Sequence, residues 1–321
     1  MCIRDSRIPT TLPEGPSGGL SYRHDTASSM DVGVAKFEGS SGNFAFHLDA
    51  MARDFDDLEI PGMAALGEGD DHEGGDHDGE DHDDEGEAPS GIVPNTAGDA
   101  KSFTFGSSYH FDSGFVGLSV SRLENTYGLP AGAHAHEHDE DHDDEHEGED
   151  HEDHEEEEEE EGGITLDMEQ TRYDALAHWH DVVPGIEVAR AVITYTDYEH
   201  VEIEPGGEVG TLYANESIEG RLELVHKNFA GFDGVIGLQT SSGEFSAIGE
   251  EAFIPSTDYQ ELGVFVVEDY HTERWIFELG LRYDREEREP AVAGPDRSFN
   301  AFSGALSGLY QVNDAWQFGV A

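Results

Sequence analysis

Asn43–Asp54 reads NFAFHLDAMARD, and its alternation decides the fold class. Phe44, Phe46, Leu48, Ala50 and Ala52 form one side, while Ala45, His47, Asp49, Met51 and Arg53 form the other. A period of two with one apolar and one mostly polar face predicts a half-buried strand. The same pattern extends outward on both sides. Met30–Lys36 leads through the turn Gly39-Ser-Ser-Gly42 into this strand, and Lys101–Phe111 turns at Asp112-Ser-Gly114 into Phe115–Leu123. Ile164–His180 and Ile186–Glu204, Gly210–Lys227 and Gly234–Thr240, Asp258–Glu268 and Trp275–Arg285 read as three further hairpins. Ser298–Tyr310 and a final strand toward Ala321 follow.

The connections alternate. Turns of about two to six residues near 40, 113, 183, 230, 271 and 313 alternate with longer loops at 54–100, 124–163, 205–209, 241–257 and 287–297. Short turns at one end and long loops at the other are the mark of an up-and-down antiparallel β-barrel of the outer-membrane kind. The strands are long for a soluble sheet, and length suits a tilted membrane crossing. Aromatics cluster near strand ends (Phe111, Phe115, Tyr127, Tyr173, Trp179, Tyr195, Tyr198, Phe229, Phe232, Tyr259, Trp275, Tyr283), as interfacial girdles require. A soluble β-sandwich or solenoid is the competing architecture, and no repeat of fixed period supports the solenoid. No run of eighteen apolar residues occurs, so no membrane-spanning helix is expected.

Two of the long loops have a composition unlike the rest. Gly67–Glu87 reads GEGDDHEGGDHDGEDHDDEGE, and Ala133–Gly163 reads AHAHEHDEDHDDEHEGEDHEDHEEEEEEEGG. They carry His72, His77, His82, His134, His136, His138, His142, His146, His151 and His154, ten of the eighteen histidines, and no Lys or Arg. Neutral imidazoles interleaved with carboxylates make a loose ligand set for a borderline divalent cation, zinc foremost. His138, His142 and His146 would share a face if helical, whereas His134, His136 and His138 would align if extended. Such tracts are by composition low-complexity and solvated, offering many weak sites without fixed geometry. The runs hold 31 of the 73 acidic residues, so the remainder of this −57 chain is also acidic. Phosphate repulsion therefore excludes a nucleic-acid partner. Cys2 alone permits neither an internal disulfide nor a cysteine metal site.

A tighter site needs ligands on rigid strands. His200, Glu202 and Glu204 alternate at the external end of Ile186–Glu204 and form the second candidate set. His178 and His180, flanking Trp179, fall at the short-turn end and read as rim residues. No catalytic constellation stands out, so no enzyme activity and no cofactor are expected.

Asp197–Thr211, DYEHVEIEPGGEVGT, taken with Asn125–Pro130 (NTYGLP), Gly237-Leu-Gln239, Gly249–Pro255 (GEEAFIP) and Glu278–Asp284 (ELGLRYD), resembles the barrel of TonB-dependent outer-membrane receptors. The branch it is most similar to is the zinc-uptake receptors, whose external loops are rich in His and acid. The resemblance runs from about residue 17 to the C-terminus. It implies a 22-stranded barrel with an N-terminal plug, driven by the TonB–ExbB–ExbD complex, in the Gram-negative outer membrane. The twelve or thirteen strands legible here then make residues 17–321 a partial barrel without its plug. Residues 1–16 are expected to be a non-native or linker segment. The functional expectation is zinc import with the two runs as the capturing loops. The alternatives are a receptor for nickel, copper, haem, cobalamin or a siderophore, and a non-transport surface protein that sequesters metal.

Overall fold

The computed structural model describes residues 7–63, 90–130, 163–249, 252–292, 295–313 and 315–321. Fifteen strands and no helix occur among them: β1 Ser17–Asp25, β2 Met30–Ser41, β3 Phe44–Phe55, β4 Leu58–Met63, β5 Ser90–Val93, β6 Gly98–Phe111, β7 Gly114–Gly128, β8 Thr165–Val183, β9 Ile186–Ile203, β10 Val209–Phe229, β11 Phe232–Gly249, β12 Thr257–His271, β13 Trp275–Pro290, β14 Arg297–Asn313 and β15 Trp316–Val320. Thirteen form one antiparallel meander, each paired with its predecessor, while β4 and β5 make a separate two-stranded ladder in the β3–β6 connection. The all-β, up-and-down barrel wall expected from the alternation is what the chain forms, with two- or three-residue turns at one end and longer connections at the other, although those between β1 and β2 and between β9 and β10 have only four and five residues.

Register explains which face meets which solvent. One row across the sheet runs Phe44, Tyr109, Val116, Ala177, Ala191, Leu222, Leu238, Val264, Tyr283 and Phe302. The adjacent row on the opposite face runs Ala45, Ser108, Gly117, Leu176, Val192, Arg221, Gln239, Gly263, Asp284 and Ala301. The first face is apolar yet open, with Leu118 66 % and Phe302 85 % exposed. A continuous apolar face of that extent is incompatible with water and is satisfied by lipid. The second face holds the buried polar groups Thr104, Ser108, Ser119, Asp174, Thr194, Thr196 and Ser217, and it is the lumenal wall. This inside-out arrangement is why the buried apolar cluster reduces to Ile8, Phe115, Leu176 and Val192.

Aromatic pairs mark both edges of the lipid belt. Near the short turns Phe44 packs on Tyr109, Phe111 on Trp179, Phe232 on Tyr270 and Trp275 on Tyr310, with centroids 4.6–5.9 Å apart. Higher up, Tyr173 meets Tyr195 and Tyr283 meets Phe302. Six to eight residues separate the two levels on a strand, roughly 15–20 Å along the barrel axis after allowing for tilt. Four of the aromatics expected in these girdles, Phe115, Tyr127, Tyr198 and Tyr259, instead share the lumenal face, because strand-end position says nothing about parity.

Several strands outrun the sequence pattern. The 241–257 stretch reads as a loop, but β11 continues to Gly249; β13 likewise continues to Pro290 and β7 to Gly128. Above the membrane both faces of a strand are wet, so the apolar alternation fades while the hydrogen-bond ladder continues. At the other end the turns are minimal. Ala230-Gly231 joins Phe229 to Phe232 with φ of +56° and +92°, the left-handed pair that a two-residue hairpin loop needs.

Residues 7–16 cross the lumenal wall. Ile8 is buried, and the Arg7 carbonyl and Ile8 occupy the space that side chains at Gly106 and Gly117 would fill. Arg7 lies 3.6 Å from Asp49, and Ser40 Oγ donates to the Pro13 carbonyl at 2.7 Å. Packing, not composition, fixes this segment.

Candidate functional site

The long connections collect at one rim. Residues 64–89 join β4 to β5, and 131–162 lie between Pro130 and Gly163, beyond the external ends of β7 and β8. His72, His77, His82, His134, His136, His138, His142, His146, His151 and His154 all lie outside the described residues. The points from which their two segments depart are described, and they share a root.

Asn95, two residues past β5, donates from Nδ2 to the carbonyl of Leu129 at 2.6 Å and to that of Ile164 at 2.9 Å. The Leu129 amide in turn donates to the Ile164 carbonyl at 2.7 Å. One side chain following the first run thus bridges the two ends of the second. Gly128 and Gly163 make this possible, because a Cβ at either would lie within 2.5 Å of an Asn95 atom. Asp57 holds the other side of the root, its Oδ1 accepting from the amides of Thr96 and Ala97 at 2.7 and 2.8 Å. Asn95 itself adopts φ +56°, a conformation Asn tolerates better than most residues.

Below the root, on the lumenal face, lie the strand candidates. His200 and Glu202 point inward from β9, opposite Met168 and Leu166 of β8. Glu204 does not share that strand face: β9 ends at Ile203, and Glu204 opens the turn, its amide bonded to the Glu208 carbonyl and its side chain over Gly210. The tight Pro-Gly-Gly turn breaks the alternation one residue earlier than the spacing suggests. The His200 ring stacks on Tyr213 with centroids 4.7 Å apart, and its Nδ1 hydrogen-bonds the Tyr198 hydroxyl at 2.9 Å. His200 sits above the lipid belt, five residues beyond the girdle residue Tyr195, with the charged outward positions Asp197 and Glu199 between them. Burial pushes its imidazole below the ordinary histidine range, against the opposing pull of Glu202. It is therefore neutral, and able to ligate, at neutral pH. Among the described residues no three His, Cys, Asp or Glu side chains converge as a metal cage.

The wall beneath is lined by hydrogen-bonded polar and charged groups. Asp174, buried, accepts from Arg172 Nε and Nη2 at 3.0 and 2.8 Å, Thr194 at 2.7 Å and Ser119 at 3.2 Å. His47 bridges Glu38 at 2.9 Å and Asp49 at 2.7 Å. Arg53 is different: its Nη2 donates to Asn125 at 3.0 Å and its guanidinium lies over Phe55, while its Nε is buried without a partner. Neither Asn95 nor Arg53 is marked by the sequence. The only local signal for Asn95 is a Pro-Asn-Thr turn directly after β5.

A β-barrel wall with a lipid-facing belt, a polar lumen and long connections gathered at one rim defines an outer-membrane barrel protein. The particular family follows: a family model described as TonB dependent receptor-like, beta-barrel matches residues 67–320, and the chain belongs to that family, in the outer membrane of a Gram-negative cell. Solved structures agree at the level of fold. The copper transporter OprC superposes with a TM-score of 0.66 at 12 % identity over 95 % of this chain and 44 % of its own. The FrpB iron transporter from Neisseria meningitidis gives 0.62 at 13 %, covering 95 % and 44 %. The ferric yersiniabactin receptor FyuA from Yersinia pestis gives 0.56 at 9 %, covering 96 % and 46 %. The chain thus spans less than half the length of these transporters.

Proposed function

We propose that this chain is the cargo-collecting part of a TonB-dependent importer whose cargo is Zn2+, captured by the runs 67–87 and 133–163. The observation that carries the reading is the shared root. Asn95, which follows the first run in sequence, holds the Leu129 and Ile164 carbonyls that flank the second, and the two runs carry ten histidines and 31 carboxylates. Linking many weak sites at one root raises the effective concentration of ligands around a bound ion, so capture gains from multivalency without a rigid cage. The carboxylates concentrate cations and the imidazoles provide the borderline donors that prefer zinc to calcium or magnesium.

In this reading His200 and Glu202 are the first fixed donors below the runs, and Glu204 borders them from the turn. The protein is a transporter without catalytic chemistry or a resident cofactor. Energy reaches it from the TonB–ExbB–ExbD complex through a plug domain, and the partners are the divalent ion, that complex and outer-membrane lipid. The experiment is a competition titration of the full-length receptor against the same receptor lacking both runs, with Zn2+, Cu2+, Ni2+ and Fe3+ as probes. Zinc binding that falls several-fold on deletion supports the reading; binding that is indifferent to the runs removes it. Copper is the second reading, favoured by the Met168 thioether opposite His200, a soft donor suited to Cu(I). It wins if Cu(I) binding survives deletion of the runs and is lost in Met168→Leu.

A further inference from the structure

At the opposite end of the lumen, near the short turns, lies a cleft of about 570 Å3 bounded by His110, Phe115, Leu176, His178, His180 and, from the segment before β1, Thr10. Its floor is an aromatic ladder. His110 stacks on Phe115 with centroids 5.1 Å apart, Phe115 stacks on His178 at 5.6 Å with planes 10° apart, and His178 meets His180 at 4.8 Å.

His178 and His180 are two residues apart on β8, so both point into the lumen. We propose that this pair is a second divalent-cation site, a station near the lumenal exit taken by bare Zn2+ or a chemically similar ion. The separation is the reason. With metal–nitrogen bonds of 2.0–2.1 Å and tetrahedral angles, two imidazoles on one zinc place their ring centroids about 5 Å apart. The observed 4.8 Å, with the ring planes 55° apart, is close to that separation. The Phe115 ring against His178 restricts that side chain's rotamers, which lowers the ordering cost of binding.

The surroundings permit a cation. Arg190, paired with His178 in the ladder, also lines the cleft, but its Nη1 lies 4.0 Å from the Glu223 carboxylate on the next strand, which offsets its charge, and Asp112 adds a carboxylate to the same cleft. His110 is not a third ligand, for its Nε2 is engaged by Ser108 Oγ at 2.9 Å and the Phe115 ring lies between it and His178. With no third His, Cys, Asp or Glu converging among the described residues, the remaining coordination positions go to water. A two-imidazole site with exchangeable waters holds zinc weakly and releases it quickly, as an exit station requires.

The level is far from the mouth. On β9 the partner of His178 is Arg190, ten residues from His200, or roughly 33 Å along the strand. The role as a station rests on the importer reading; the binding itself does not.

The test uses full-length receptor lacking residues 67–87 and 133–163, so that loop histidines contribute nothing, titrated with Zn2+ alone against a chromophoric chelator. The expected result is one equivalent of zinc, separate from any held by His200 and Glu202, that is weakened at least tenfold in both His178→Phe and His180→Gln. The phenylalanine keeps the stack on Phe115 and removes only the donor. Equal zinc binding in the variants and their parent overturns the proposal whatever the loops do. Carbethoxylation of His178 and His180 in the unsubstituted protein, followed by mass spectrometry, avoids any folding defect of the variants. Zinc must protect both residues together, and modification at an unchanged rate with zinc present also overturns the site.

Discussion

Ile236→Arg tests the membrane account of the wall, and neighbouring positions on β11 supply its controls. Ile236 faces outward, 51 % exposed, four residues above the girdle residue Phe232 and between Leu224 and Val266 on the adjoining strands. The apolar outward run on β11 ends near Thr240, which puts Ile236 close to the middle of the belt. An arginine at mid-depth on the lipid face of a barrel costs about 2–4 kcal/mol, falling to about 0–1 kcal/mol at the interface. Ser242 faces the same way six residues higher, roughly 15 Å up the axis, so Ser242→Arg is expected to cost less than about 1 kcal/mol. Ser241 faces the lumen between Glu219 and Glu261, where a guanidinium meets carboxylates, and Ser241→Arg is expected to lie within about 0.5 kcal/mol of the parent. Reversible urea unfolding of the full-length receptor in lipid vesicles measures all three. The order Ile236 far above Ser242 and Ser241 follows from the register. Equal costs at 236 and 241 would show that both faces see the same solvent, and the lumen-and-lipid assignment would fall.

Three further outcomes follow from the site. Asp174→Ala leaves the half-buried Arg172 without its carboxylate and is expected to destabilise the barrel by about 3–5 kcal/mol, whereas Arg172→Met with Asp174→Leu recovers most of that loss; the same unfolding assay reads the cycle, and additive single effects would contradict the pairing. Asn95→Ala removes two hydrogen bonds, about 1–3 kcal/mol in total, and exchange of the Gly128 and Leu129 amides with deuterium should accelerate while amides of β10 stay protected. His200 has a folded-state pKa below its unfolded value, so its contribution to stability is present above about pH 6.5 and is lost as the pH falls through that value toward the folded one. NMR titration of the imidazole should give a midpoint below 6.5, and a midpoint above it would show that Glu202 outweighs burial.

How much the sequence disclosed depended on where each residue sits relative to lipid. Within the belt, Phe44, Phe46 and Leu48 against Ala45, His47 and Asp49 carry a strong alternation, and the observed register follows it residue for residue. Beyond the belt the contrast vanishes, which is why 241–249 reads as a loop although its backbone is paired with β10 throughout and with β12 as far as Phe245. Aromatic positions near strand ends were legible as a class, but parity sorted them, sending Tyr127 and Tyr198 into the lumen. Asn95 was illegible because its role comes from carbonyls 34 and 69 residues away and from two glycines that leave room for it. His178 and His180 were visible as a pair on one face, but the register that stacks His178 on Phe115 was not. Composition flagged the acidic runs at once, whereas the Asn95 contact between the residues that flank them was not legible.

Whether the two runs collect zinc for import is read by initial-rate 65Zn accumulation at limiting zinc. Cells carry either the full-length receptor or the same receptor lacking 67–87 and 133–163, matched for outer-membrane level. The expected uptake rate is several-fold lower without the runs and converges with the parent as external zinc rises. The parent's advantage should shrink as the medium is acidified through the histidine range, because only neutral imidazole binds the ion. Equal rates at limiting zinc would show that the runs do not collect zinc for import.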